Sequence, residues 1–359
     1  MSATDVPCIV QMQQMMRGKT DVLSLAQGIV HWAPPESALA AGRAAMTEPD
    51  SSLYGPDDGL LALREALKAK LQAENGISQS EVMVTAGANQ GYTNIVLTLM
   101  DAGDAAMLFR PYYFNHLMAL QMTGSAGALV LPPSLPDLQP DVSALQRELE
   151  ERAASASTPQ LKLVTLVNPG NPTGVMIPRA TLEEASALCA RHGVWLVIDN
   201  TYEHFAYKDC PPHECIEGEH IINLFSFSKA FGMMGWRVGY IAFPPKLGAE
   251  LFKVQDTIGT RHARDPYAPA VGIGARAATT LPLHSLTLTS AGLQRSAQRS
   301  RRRSSPSALC PAGVDGSASV WMASRSKRLS CSMRSPLSAT GPSRAARVPS
   351  TCFASCPTD

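Results

Sequence analysis

The chain has 359 residues, too many for one small core, since single cores stop growing near ~250–300 residues, and suits a two-domain α/β enzyme. Its 45% hydrophobic content and formal net charge of +1 exclude a disordered polyelectrolyte, and no apolar run approaches the ~18 residues of a bilayer span. Eight cysteines, none spaced as CxxC, are too sparse for a disulfide scaffold, and MSATDVPCIVQMQQMMRGKT lacks the pattern of an export signal. A reduced, cytoplasmic protein with no metal and no nucleic-acid or membrane partner is expected.

In chain order, strand-length apolar runs alternate with amphipathic stretches, which predicts an α/β fold with a mostly parallel sheet sandwiched by helices. Leu60 to Ala73 repeats Leu and Ala at helical spacing and stops at Asn75-Gly76. Val82 to Thr85 reads as a strand, Gly87-Ala88-Asn89 as a turn, and Gln90 to Met100 as a helix. Leu161 to Val167 is a strand of the buried type, Arg179 to His192 a helix with a Gly193 stop, and Val194 to Ile198 the next buried strand. Ile221 to Phe225 and Val238 to Phe243 are further strands flanking a loop.

After Ile258 this grammar ends. Residues 1–258 hold 17 Lys+Arg against 27 Asp+Glu, and residues 259–359 hold 14 against 3. The latter contain 18 Ser, 9 Pro and 13 Arg but 3 aromatics, with RSRRRSS at 299–305. Such a segment cannot bury enough apolar surface to offset ordering at ~1–2 kcal/mol per residue. It is expected to be disordered, and the abrupt change is what reading a GC-rich gene out of frame or through an intron gives. The competing reading, a basic tail that binds nucleic acid, lacks interleaved aromatics.

One segment carries the chemistry: Ser226-Phe227-Ser228-Lys229, continuing through Gly235-Trp236-Arg237 to Tyr240. A desolvated, cation-rich pocket helps Lys229 lose the proton that blocks attack on an aldehyde. Arg237 can grip a phosphate with its planar fork, and Ser226 and Ser228 can donate to further oxygens. Asp199 ends a buried strand, where open α/β sheets place ligands. Gly87-Ala88-Asn89 precedes a helix start suited to an anion. Taken singly, SxSK could be a solvated lysine, Asp199 a helix cap, Tyr113 a core aromatic and Gly28 a plain turn.

Together these motifs resemble the class I/II aminotransferases, the fold-type I pyridoxal phosphate enzymes, over most of residues 20–258. The resemblance implies a cofactor-binding large domain at 46–258, an N-terminal arm with part of an incomplete small domain at 1–45, and an atypical segment at 259–359. It implies that Lys229 forms the Schiff base, that Asp199 partners the pyridine nitrogen, and that Tyr202 and Asn171 donate to the ring oxygen. It gives Tyr113 to ring stacking. The phosphate falls to Gly87, Ala88, Asn89, Ser226, Ser228 and Arg237, with Tyr54 reaching it across a homodimer interface, and Gly28 belongs to the loop over the substrate. The stretches YGPDDGL, NPGNPTG, DNTYE and FSFSKAFGMMGWRVGY look closest to a plant and algal branch that acts on aromatic amino acids and methionine.

The implied reaction is ping-pong transfer of an amino group from an amino acid to a 2-oxo acid such as phenylpyruvate. In the family a C-terminal small domain supplies the arginine for the substrate carboxylate. None of Arg261, Arg295, Arg344 or Arg347 is given that role, so the chain is expected to keep its cofactor pocket but to be poorly stable and nearly inactive. Two alternatives stand beside this: a cysteine-conjugate β-lyase using the same cofactor, and an inactive partner that dimerises with a full-length copy.

Overall fold

The computed structural model describes residues 4–22, 28–124, 128–208 and 210–258. They fall within one compact unit, Met1–Thr287; the second, Leu288–Asp359, lies outside the described residues, as do the readings made above for 259–359. The helices are α1 (Cys8–Met16), α2 (Glu36–Ala45), α3 (Leu61–Lys70), α4 (Gly87–Leu99), α5 (Phe114–Met122), α6 (Val142–Ala153), α7 (Arg179–His192) and α8 (Gly248–Ile258). The strands are β1 (Glu81–Thr85), β2 (Ala105–Leu108), β3 (Leu129–Val130), β4 (Leu161–Val167), β5 (Trp195–Asp199), β6 (Ile221–Ser226) and β7 (Gly239–Phe243).

The seven strands form one sheet in the order β1-β7-β6-β5-β4-β2-β3. The pairs β2–β3, β2–β4, β4–β5 and β5–β6 are parallel, and β7 runs antiparallel to both neighbours. Alternate side chains of the buried strands feed opposite faces. Val164, Leu196 and Ile198 join Leu145, Leu149, Leu182 and Leu188 of α6 and α7. Leu163, Val197 and Ile222 join Ile95, Leu117, Leu120 and Leu251 of α4, α5 and α8. Toward β1, Leu63 and Leu67 of α3 pack on Phe225 and Tyr240.

The local reasons are visible in the sequence. Helix α7 buries Leu182, Ala185, Leu188 and Cys189 at three- and four-residue spacing and ends at Gly193, φ 67°. Helix α6 starts where the Asp141 side chain accepts from the Ala144 N–H at 3.1 Å. Two boundaries differ from the expectation by more than one residue. Gly87-Ala88-Asn89 is the first turn of α4, its entry fixed by the Gln90 side chain accepting from the Ala86 N–H at 2.5 Å. The stretch 60–73 divides into α3 and a π turn, Leu71–Asn75.

The parallel order places the ends of β4, β5 and β6 at one edge. Val167, Asp199 and Ser226 are their last residues, and the loops that follow open on a common crevice.

Candidate active site

The crevice is an open cleft of about 970 Å³. Eleven of the thirteen residues singled out above line it: Gly28, Ala88, Asn89, Tyr113, Asn171 and Asp199, together with Tyr202, Ser226, Ser228, Lys229 and Arg237. Gly87 is not part of the lining but sits against the Arg237 guanidinium. Tyr54 stands apart, 71% exposed.

Asp199 is held at the end of β5 with 3% exposure. Its Oδ1 accepts from the Thr201 N–H at 2.9 Å. Its Oδ2 lies 3.1 Å from Nε2 of His116 on α5. The His116 ring is buried beside Tyr92, centroids 4.0 Å apart, and meets Tyr113 edge-on at 5.2 Å. His116 was absent from the sequence reading of the site, although RPYYFNH places it three residues after Tyr113, a spacing that brings two side chains together once the segment is helical. A buried carboxylate is expensive without partners, and Asp199 faces the cleft with an imidazole and one N–H behind it.

Lys229 follows β6, and its Nζ donates to the Gly28 carbonyl at 2.6 Å. Burial, and then the nearby Arg237 guanidinium, hold the lysine below its usual range. The Gly28 loop therefore meets the lysine with its carbonyl acceptor. Tyr202 lies at the same place: its hydroxyl and Lys229 Nζ are 3.9 and 3.6 Å from where a Cβ on Gly28 would sit. Asn171 Nδ2 is 3.5 Å from the Tyr202 oxygen. Burial, then Tyr113 and Asp199, push the Tyr202 phenol up to about 12, so it remains a proton donor at neutral pH. The Tyr113 hydroxyl accepts from Asn115 Nδ2 at 2.9 Å and donates to Asn89 Oδ1 at 3.4 Å, which anchors its ring at the rim.

The first turn of α4 brings Ala88 and Asn89 to the same cleft with the N–H groups of a helix start. Ser226, Ser228 and Arg237 complete the wall. Arg237 sits in the left-handed region, φ 54°, with Nη1 on Met234 O at 3.0 Å and Nη2 on Ala86 O at 3.4 Å. Two absent side chains make this fit possible. A Cβ on Gly87 would collide with the Arg237 guanidinium, and a Cβ on Gly239 would sit 2.6 Å from the Ala88 backbone nitrogen.

The arrangement fits a phosphorylated pyridine aldehyde. It offers, in one cleft, an anion cradle, a buried carboxylate, two donors for a ring hydroxyl and a desolvated amine. Among the described residues no group of three or more His, Cys, Asp or Glu is placed to hold a metal ion, and no helix is long and apolar enough to cross a membrane.

The model of the class I and II aminotransferase family matches residues 20–298, and the chain belongs to that family. Members of the family use pyridoxal phosphate. The chain is 50% identical over 258 residues to the aromatic aminotransferase ISS1 of Arabidopsis thaliana, covering 71% of this chain and 64% of that one. It is 30% identical over 259 residues to the aspartate/prephenate aminotransferase of Thermus thermophilus, covering 70% and 63%. The chain thus spans a little under two thirds of these relatives. Among solved structures, a single mutant of Thermus thermophilus aspartate aminotransferase superposes with a TM-score of 0.66 at 27% identity, over 84% of this chain and 77% of that one. The aromatic aminotransferase of Pyrococcus horikoshii gives 0.64 at 25%, over 81% and 76%. The fold is that of the fold-type I enzymes.

Proposed function

We propose that this chain binds pyridoxal phosphate at Lys229 and transfers amino groups between amino acids and 2-oxo acids. The observation that carries the reading is the meeting of Lys229, Asp199, Asn171, Tyr202 and Arg237 in one cleft, although they come from three separate segments of the chain. Arg237, Ser226, Ser228 and the α4 N-terminus would hold the phosphate, Asp199 the ring nitrogen, and Asn171 with Tyr202 the ring oxygen. Tyr113 would stack on the ring. Bound there, the group supplies an aldehyde that an amine can attack and a cationic ring that accepts electrons from the substrate carbon.

The chain's own residues do the rest. Lys229, whose charged form is disfavoured by burial and by Arg237, would be the nucleophile, and its Nζ would take and return the Cα proton of the substrate. The buried Asp199 carboxylate keeps a partner nitrogen protonated. The donor leaves as its 2-oxo acid before the acceptor enters, the ping-pong order. Aromatic amino acids and methionine are the proposed donors, supported by the aromatic relative at 50% identity and by Ile9, Ile29, Tyr112 and Phe114 on the cleft wall.

A homodimer belongs to this reading, supported by the exposed Leu53, Tyr54 and Leu61 near the cleft-bearing unit's surface. A cytoplasmic setting is supported by the free thiols Cys8, Cys189, Cys210 and Cys215. Arg237 is the one arginine on the cleft among the described residues, so turnover with methionine and phenylpyruvate is expected to be low while cofactor binding is retained. Borohydride reduction of the loaded protein followed by peptide mapping should tag Lys229. A tag on another amine, or none, removes the proposal.

A further inference from the structure

Consecutive side chains of the turn after β5 part company. Tyr202 lines the cleft, while Glu203 is buried against α3, where Lys70 Nζ lies 2.6 Å from its Oε2 with both side chains 7% exposed. Asn75 Nδ2 donates to the same oxygen at 2.8 Å, and Lys70 also donates to Asn75 Oδ1 at 2.8 Å. Lys70 stands 5.0 Å over the Phe225 ring and 3.7 Å from Glu74, and His204 Nε2 is 3.5 Å from Glu203 Oε1. His213, Cys215 and Tyr240 lie near enough to feel the charge of Glu203. Burial alone would raise the Glu203 carboxyl, but Lys70, His204 and the bonds from Lys70 and Asn75 outweigh it, and the group is held below its usual range.

A buried ion pair is a poor source of stability, because apolar residues of similar volume do as well or better. Its position suggests another use. The turn is tied by Glu203 N–H to Asn200 O at 2.9 Å and Phe205 N–H to Tyr202 O at 2.8 Å, so clamping Glu203 to α3 leaves Tyr202 little freedom to swing. We propose that Lys70 and Glu203 are positioning residues that hold the Tyr202 hydroxyl beside Lys229 and Asn171. The inference rests on the function proposed above.

The test compares four proteins loaded with pyridoxal phosphate: the unaltered chain, Glu203→Gln, Tyr202→Phe, and the apolar double variant Lys70→Met/Glu203→Leu. Two quantities are read, the thermal midpoint and the pH midpoint of the cofactor's absorbance change. A hydroxyl donating to the ring oxygen favours the deprotonated form, so losing it raises the pH midpoint, by about one unit. Glu203→Gln should lower the thermal midpoint and raise the pH midpoint. The double variant should regain the thermal midpoint yet keep a pH midpoint raised toward that of Tyr202→Phe. A double variant with the unaltered chain's pH midpoint overturns the positioning role and leaves the pair purely structural. If the double variant does not fold, Glu203→Asp, which keeps the charge and shortens the tether, decides alone: a raised pH midpoint supports the role and an unchanged one overturns it. An unaltered chain that takes up no cofactor at Lys229 removes the functional reading and this inference with it.

Discussion

Nε2 of His116 lies 3.1 Å from Oδ2 of Asp199, with both side chains almost fully buried. With the Thr201 N–H on the other oxygen, the carboxylate is fixed in direction before any ligand arrives. His116→Phe keeps a flat ring against Tyr92 and Tyr113 and removes the hydrogen-bonding nitrogen. A hydrogen bond to a charged group contributes roughly 1.5–3 kcal/mol, so pyridoxal phosphate affinity should fall about ten- to a hundredfold. Fluorescence titration of the cofactor measures this. An unchanged affinity would place Asp199 outside the cofactor's reach.

Acid stability should report on the polar interior behind the site. His213 is held at about 4 by burial first, with Lys70 and His204 adding and Glu203 opposing, and its Nε2 is 3.0 Å from Asn200 Oδ1. Its native pKa is below the ordinary 6.5, so the unfolded chain binds more protons between these values. The stability is therefore complete above about 6.5 and lost as the pH falls through about 4, a contribution on the order of 3 kcal/mol. His213→Gln, which has no proton to gain, should move the midpoint of acid unfolding to lower pH. Circular dichroism between pH 7 and pH 3 follows the transition, and a midpoint that does not move would mean that His213 is solvated.

Much of this architecture is legible in the sequence because burial leaves a periodic trace. The buried runs of β4, β5 and β6 and the spaced Leu and Ala of α7 announce themselves. Helix α5 does not: FNHLMALQM has one face on the core and its start given over to Tyr113, Asn115 and His116, so no clean period emerges. The first turn of α4 read as a turn because Gly87 has φ 78°, and helix entry there depends on Gln90 reaching back to Ala86. The residues that line the cleft are readable from the order of the motifs. His116, Lys70 and Glu203 were not, because their partners are set by a tertiary arrangement that joins segments up to 133 residues apart.

Gly239 tests how tightly the anion cradle is built. A Cβ there would lie 2.6 Å from Ala88 N, 2.7 Å from the Gly87 carbonyl carbon and 2.9 Å from Phe225 O. All three are backbone atoms, which cannot swing aside as a flexible side chain can. Gly239→Ala must push the α4 start away from β7, at about 1–3 kcal/mol for an overpacked site. The thermal midpoint should fall and pyridoxal phosphate affinity should drop with it. Gly235→Ala, where the added methyl meets nothing within 4 Å, serves as the control. If both variants bind alike, the cradle does not depend on this close approach.

Tyr54 is 71% exposed and outside the cleft lining, and the family resemblance gives it to the phosphate of a neighbouring subunit. That assignment makes a prediction about mixtures. Tyr54→Ala should weaken cofactor binding, and Lys229→Ala should abolish the covalent attachment. When the two variants are co-expressed with distinct tags, random pairing gives about half of the lysine-bearing subunits a partner that still carries Tyr54. Those subunits have a complete site, because the lysine comes from one chain and the tyrosine from the other. Borohydride labelling at limiting cofactor should therefore tag about half of the lysine-bearing chains in the mixture, as judged against the same labelling of unaltered chain. Purified Tyr54→Ala alone should be tagged far less. A mixture that labels no better than Tyr54→Ala by itself would show that the tyrosine acts within its own subunit or not at the phosphate at all.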